Sequence, residues 1–416
     1  MRHRLTFLRK IVFLVLVWQA GYSVSAAEEN WPRFRGPNGL GIAEGVVFPV
    51  QWTEQDYLWR RDLPGVGHSS PVIWQDQLYV TCGDPEAAEL IVMALDTETG
   101  KERWSERIGL TPSSFHALNS YASSSPAVDA RGVYLLAASP ESVQLVALTH
   151  DGKEVWRRDL GPFESQHGFG TSPMIVDDLV VFVSDHLGAS FVTALDTATG
   201  DTRWRIERKS GKAAYATPCV WQAPNGNRQL ILCSMAEGMV GVEPSTGRLL
   251  WQLPDVFEMR CVNSPLVAEG LVMCSSGKGG RGVSMVAVCP GDGANVPAEV
   301  VFRWTKAIPQ TVTPVAHDGL LFVWQDRGVV SCRDLATGEQ LWLERIGGSY
   351  CGSPICVGGR LYGISEDGEV VVLAAEREFA ELGRVDLGTP SHATPSVSRG
   401  KMFLRSMSSL ACLPAQ

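Results

Sequence analysis

The chain has 416 residues, of which 45% are hydrophobic and 19% charged, with Gly and Pro together making up about a sixth. Those proportions suit a folded protein rich in tight turns and fall outside the range of low-complexity disorder. The formal net charge of −9, with no basic stripe, excludes a nucleic-acid binder, whose affinity would come mainly from neutralising phosphates.

Residues 1–26 read as a secretory signal peptide. Arg2, Arg4, Arg9 and Lys10 form a basic leader, and Ile11 to Gln19 form an apolar core too short to span a bilayer. Val24, Ser25 and Ala26 supply the small residues of a cleavage site, so the mature chain is expected to begin near Ala27. No cysteine follows that site to carry a lipid, and no later run is long enough for a transmembrane helix. A periplasmic or secreted destination follows. Residues 27–56 read as an N-terminal extension, and 57–416 as one repeat domain.

The first predicted element is a strand over Tyr57–Leu63 that has no partner nearby in sequence. Beyond it, Ser/Thr-Pro followed by an apolar run recurs eight times. The prolines are Pro71, Pro126, Pro173, Pro218, Pro265, Pro314, Pro354 and Pro395. Each is followed by a short strand, a polar turn such as Asp177-Asp178, and a second strand. A third strand then runs into Ala-Leu-Asp-x-x-Thr-Gly, and a Trp stands four residues after the Gly, as in Ala94 to Gly100 with Trp104 and Ala194 to Gly200 with Trp204. The Asp caps the turn through its side chain, and the Gly takes its left-handed position.

Four short antiparallel strands in each 40- to 55-residue period describe the blades of a propeller. The all-β fold expected is therefore an eight-bladed β-propeller. Trp59, Trp104, Trp156, Trp204, Trp251, Trp304 and Trp342 are read as wedges between adjacent blades. The last period has room for only three strands, so the strand over Tyr57–Leu63 is expected to complete it and close the ring.

Ten cysteines are spread over most of the chain, with no CxxC pair. Most read as small buried hydrophobes; Cys219–Cys233 and Cys261–Cys274 could each bridge neighbouring strands. No HExxH or G-x-S-x-G motif occurs, and no catalytic or metal-ligating set can be assigned. Lys278 lies in a glycine-rich stretch, but Val272 replaces the first Gly of a phosphate loop and Gly279 its Ser/Thr, so a hairpin is expected. The residues just before each Ser/Thr-Pro should ring one mouth of the channel, the usual ligand position of a propeller. They include His68, Tyr121, His167, Phe169, Tyr215, Arg260, Asn263, Gln310, Tyr350 and His392.

The ALDxxTGxxxW element resembles the tryptophan-docking motif of quinoprotein alcohol dehydrogenases. Trp31-Pro32-x-Phe34-Arg35-Gly36-Pro37-Asn38-Gly39, His116 to Ser123 and Gln166 to Pro173 are similar to segments of exported PQQ-like-repeat propellers of planctomycete-type bacteria. The propeller subunit of the outer-membrane β-barrel assembly machinery is also similar in size and blade count. The quinoprotein resemblance implies PQQ with Ca²⁺, held under a vicinal Cys-Cys disulfide and beside a Glu, Asn and Asp ligand set with a catalytic Asp. No adjacent Cys pair exists in this chain, and those ligands match no motif in it. Two functions stay open. One is a monomeric, non-catalytic exported propeller that holds a protein, peptide or glycan at its channel mouth or blade edges. The other is a PQQ-dependent oxidoreductase; the first is favoured.

Overall fold

The computed structural model describes residues 30–114, 116, 118–293 and 296–416. The signal-peptide reading lies outside the described residues. The chain folds into eight antiparallel sheets arranged as the blades of a closed propeller, with two single 3₁₀ turns the only helical elements among the described residues. No described helix is long and apolar enough to cross a membrane.

Blade 1 shows the pattern. Val72–Trp74, Gln77–Asp84, Glu89–Asp96 and Glu102–Gly109 pair in chain order. The first strand lies against the first strands of the neighbouring blades, so these short strands line the channel. The second and third strands are buried almost throughout, because both of their faces are covered by the adjacent blades. The fourth strand, at the rim, is mostly exposed. The stretch around Lys278 is the expected hairpin: Leu271–Lys278 pairs with Arg281–Cys289, and Gly279 and Gly280 turn the chain at φ 60° and 70°.

Closure follows the sequence reading. Trp59–Asp62 pairs antiparallel with Ser409–Pro414 and supplies the fourth strand of blade 8. Arg405 reinforces this seam from within. Its buried guanidinium donates to the Ser69 carbonyl at 2.6 Å and the Thr81 carbonyl at 2.7 Å, both in blade 1.

The tryptophans join successive blades. Trp59 Nε1 donates to the Thr97 carbonyl, Trp104 to His150, Trp156 to Thr197 and Trp204 to Pro244, each partner lying in the turn of the following blade. In each case the ring also lies flat on that turn's glycine. A Cβ on Gly100 would sit 2.6 Å from the Trp59 ring, and one on Gly200 would sit 2.6 Å from the Trp156 ring. The motif glycine thus meets two demands, a left-handed φ and a bare face for the neighbour's indole. Trp304 and Trp342 donate forward to Gly338 and Glu376. Trp251 differs, donating to Gln229 of its own blade.

All ten cysteines are free thiols, so the two bridges allowed by the spacing are not formed. Cys219 lies opposite Ile231 and Cys233 opposite Met239, which separates that pair along the ladder.

Candidate functional site

The Ser/Thr of each Ser/Thr-Pro has a structural task of its own. The Ser70 backbone N–H donates to Ser125 Oγ at 2.8 Å, and Ser125 N–H to Ser172 Oγ at 3.0 Å. The same bond runs from Thr217 to Ser264, Ser264 to Thr313, Thr313 to Ser353 and Ser353 to Thr394. Thr394 N–H then donates to Ser70 Oγ. Of the eight junctions, only Ser172 to Thr217 lacks this bond. The proline that follows has no N–H to leave unpaired beside the channel. The result is a belt of hydroxyls around the axis.

The N-terminal extension closes one side of this belt. Trp31 bridges to Ile73 in blade 1, the Val128 N–H of blade 2 donates to the Pro32 carbonyl, and Asn38 exchanges two hydrogen bonds with Val220 of blade 4. Ile42–Ala43 adds a parallel strand to blade 7. Arg33 donates to the Pro218 carbonyl at 2.8 Å. Arg35 donates to the Pro314 carbonyl at 2.7 Å and the Pro354 carbonyl at 2.8 Å. These carbonyls belong to the prolines of the repeat. Burial lowers Arg33 to about 10, and burial with the nearby Arg33 charge lowers Arg35 to about 9, so both remain cationic at neutral pH. Gly36, directly after Arg35, turns the chain at φ 69°, with the Trp31 ring 2.7 Å from where a Cβ would stand.

The channel is therefore a cup. Phe34, carried between the two arginines, forms its floor, the hydroxyl belt forms its wall, and the pre-proline loops form its rim around a cavity of about 580 Å³. Of the ten rim residues named from sequence, His68, His167, Tyr215, Arg260, Asn263, Gln310 and His392 line the cavity. Tyr121, Phe169 and Tyr350 do not. Tyr121 hydroxyl accepts from the Ser113 N–H, Phe169 packs on Phe163 and Phe182, and Tyr350 packs edge-on against Trp324. Their rings turn into the blades because apolar area gains more there than at the wet rim.

Several of the lining residues are themselves held by the scaffold. Asn263 donates to Ser275 Oγ and accepts from the Ser275 N–H, while Gln310 Oε1 accepts from the Gly280 N–H at 2.6 Å. Tyr215 hydroxyl bonds Ser165 Oγ at 3.0 Å. The His68 and His392 rings pack against each other at a tilt of 54°, with centroids 4.6 Å apart. Burial, the His392 ring and the Arg405 charge bring His68 down to about 3, so it is neutral at physiological pH. His167 is also lowered, by burial and then by Arg260 and His116.

Arg260 stands apart from these. Its guanidinium makes no hydrogen bond or ion pair with any described residue, and it also borders a second recess lined by Lys212, Lys278, Gln166 and His167. No carboxylate lines the cup or this recess. On an acidic chain, the mouth is locally cationic.

The sequence reading missed Phe34, His116 and Cys351 of the lining, together with Glu366 behind it. Phe34 lies far from any repeat, and Glu366 lies in the turn between two strands, not before a proline. Cys351, two residues before Ser353-Pro354, could have been placed at the rim by the same rule that placed Tyr350.

The residues do not fit PQQ with Ca²⁺. A hard cation of that kind takes 6–8 oxygen ligands. The one set of three or more His, Cys, Asp or Glu side chains clustered closely enough to share an ion among the described residues is Cys351, Glu366 and His392, with a single carboxylate. No tryptophan lines the cup to stack on a quinone plane.

Comparison with known proteins agrees with this scaffold. The chain is 21% identical over 331 residues to outer membrane protein assembly factor BamB of Yersinia pestis, covering 76% of this chain and 66% of that protein. It is 24% identical over 221 residues to the BamB of Moranella endobia, covering 48% of this chain and 53% of the relative. The chain thus spans about two thirds and about half of these relatives. Among solved structures, BamB from Moraxella catarrhalis superposes with a TM-score of 0.63 at 15% identity, covering 86% of this chain and 96% of that one. Quinohemoprotein alcohol dehydrogenase from Comamonas testosteroni gives 0.66 at 13%, covering 92% and 80%. At these identities the likeness establishes a shared fold. The family model described as outer membrane protein assembly factor BamB matches residues 88–295 and 286–378, and the chain belongs to that PQQ-like-repeat propeller family.

Proposed function

We propose that this chain is an exported, non-catalytic binding propeller that holds an anionic peptide or glycan segment in its plugged channel mouth. The observation that carries the reading is the set of three cations, Arg260, Lys212 and Lys278, standing without acidic partners beside a dead-ended cup. A cavity of about 580 Å³ closed at its floor admits the end of a chain and not a through-going strand. The His68, His167 and Tyr215 rings offer flat faces for a sugar or side chain, and the cations orient its charge.

The basic, apolar and small-residue pattern of residues 1–26 supports a periplasmic or secreted location. The relatives' description as outer membrane protein assembly factors is consistent with a scaffold that engages other proteins there.

Binding of fluorescent acidic peptides and oligosaccharides, each beside a neutral counterpart, tests the reading. The expected result is preference for the acidic form, weakening with salt, and at least a tenfold loss in Arg260→Glu. Equal binding of acidic and neutral ligands, or an unchanged Arg260→Glu, would overturn it.

A further inference from the structure

Three loops meet on the wall of the cup where blades 7 and 8 adjoin. Cys351 precedes the Ser353-Pro354 of blade 7. Glu366 lies in the turn between Arg360–Ile364 and Glu369–Ala374, and His392 precedes the Thr394-Pro395 of blade 8. One ligand atom from each lies within 4.8 Å of the others, and Cys351 Sγ is 3.0 Å from Glu366 Oε1. We propose that Cys351, Glu366 and His392 form a zinc-type site for a divalent transition metal, with an open coordination position facing the cup.

The donor set selects the ion. A thiolate, an imidazole and one carboxylate match the borderline-soft preference of Zn²⁺ and offer too few oxygens for Ca²⁺. Zinc bonds of about 2.0–2.3 Å place tetrahedral ligand atoms roughly 3.5 Å apart. The present separations need only a modest side-chain rotation to reach that.

A second observation points to the same place. His392 Nδ1 is buried and has no hydrogen-bond partner. Such an atom is costly unless something engages it, and a metal drawn against this ring would do so. The surroundings are pre-organised. The Glu366 N–H donates to the Ser349 carbonyl at 2.7 Å and the Ser391 N–H to the Glu366 carbonyl at 3.1 Å, so backbone bonds pin the three loops together. His68 packs at a tilt against His392, which limits the movement of its ring.

The topology leaves one face free. Cys351 and His392 line the cavity, whereas Glu366 sits behind them. Three protein ligands plus an exposed fourth position is the arrangement of a zinc ion that takes water or a ligand atom, as distinct from a closed structural site. Binding converts the Cys351 thiol to thiolate and releases its proton to solvent. The site shares no residue with the Arg260, Lys212 and Lys278 set, so it stands or falls independently of the anionic-ligand reading.

Titration with Co²⁺ at neutral pH, followed by absorbance, tests the site, with Zn²⁺ as competitor. The intact chain is expected to bind one equivalent, with tetrahedral visible bands and a thiolate-to-metal charge-transfer band that Zn²⁺ abolishes. Cys351→Ser should remove the charge-transfer band. Glu366→Gln and His392→Ala should each weaken binding at least tenfold, while Cys289→Ser binds as wild type. A charge-transfer band that survives in Cys351→Ser, or a folded wild-type chain that retains no Co²⁺, would refute the site. Matching thermal melts of the metal-free variants and wild type guard against reading misfolding as lost ligation.

Discussion

The backbone N–H of Thr394 donates to Ser70 Oγ at 3.2 Å, joining the last Ser/Thr-Pro of the chain to the first across 324 residues. This bond joins the two chain ends of the belt of hydroxyls, just as Trp59–Asp62 completes the last blade at the rim. The ring is thus locked at two radii, by side-chain hydrogen bonds near the axis and by a strand outside.

Ser70→Ala is expected to leave the buried Thr394 N–H unpaired and to destabilise the chain by about 1–3 kcal/mol. Equilibrium urea unfolding measures this. The same change at Thr217, whose hydroxyl accepts no belt bond from Ser172, should cost less. Equal losses at the two positions would show that the belt bonds add nothing beyond side-chain packing.

Trp156→Ala is expected to cost about 3–5 kcal/mol, since it empties the wedge over Gly200. Trp156→Phe should recover most of that and forfeit mainly the bond to the Thr197 carbonyl. Gly200→Ala attacks the same contact from the other blade and should also destabilise, both by crowding the ring and by straining a residue at φ 72°. Denaturation midpoints of the three variants give the order.

Acidification is expected to weaken the fold through His68. Its folded-state value of about 3 lies below the ordinary 6.5, so the unfolded chain binds the extra proton between these limits. Stability from this group is complete above about 6.5 and falls by up to about 1.4 kcal/mol per pH unit as pH drops toward 3. His68→Phe should flatten that slope. A wild-type slope unchanged by the substitution would assign the acid sensitivity to other groups.

Asp185 and Arg208 form a bidentate pair at 2.8 and 3.0 Å, with both side chains 1% exposed. Burial pushes the Asp185 carboxyl above its usual range, and Arg208 beside it opposes that shift. Asp185→Asn leaves the guanidinium with only Glu237, at 3.2 Å, to balance it. A loss of about 3–5 kcal/mol is expected, read as a lowered denaturation midpoint with the slope of the transition unchanged.

The blade count, the hairpins, the tryptophan wedges and the closing strand were all legible in the chain's own periodicity. Each comes from a local rule: alternation within a strand, a turn that needs Asp and Gly, an indole set a fixed distance beyond. Such rules repeat with the repeat, so eight imperfect copies reinforce one another. The rim was half legible. The rule that pre-proline residues face the channel placed His68, Arg260 and His392 correctly beside the cavity, but it could not tell that Phe169 and Tyr350 turn inward, because rotamer choice depends on packing partners from other blades.

Three features came only from the tertiary structure. The hydroxyl belt pairs residues in different repeats, the plug sends Arg33 and Arg35 to carbonyls some 180 to 320 residues away, and Cys351, Glu366 and His392 meet from three separate loops. Nothing in local sequence encodes such meetings. They follow from closing a ring, which brings the inner ends of all blades to one axis and makes neighbours of residues that share no segment of chain.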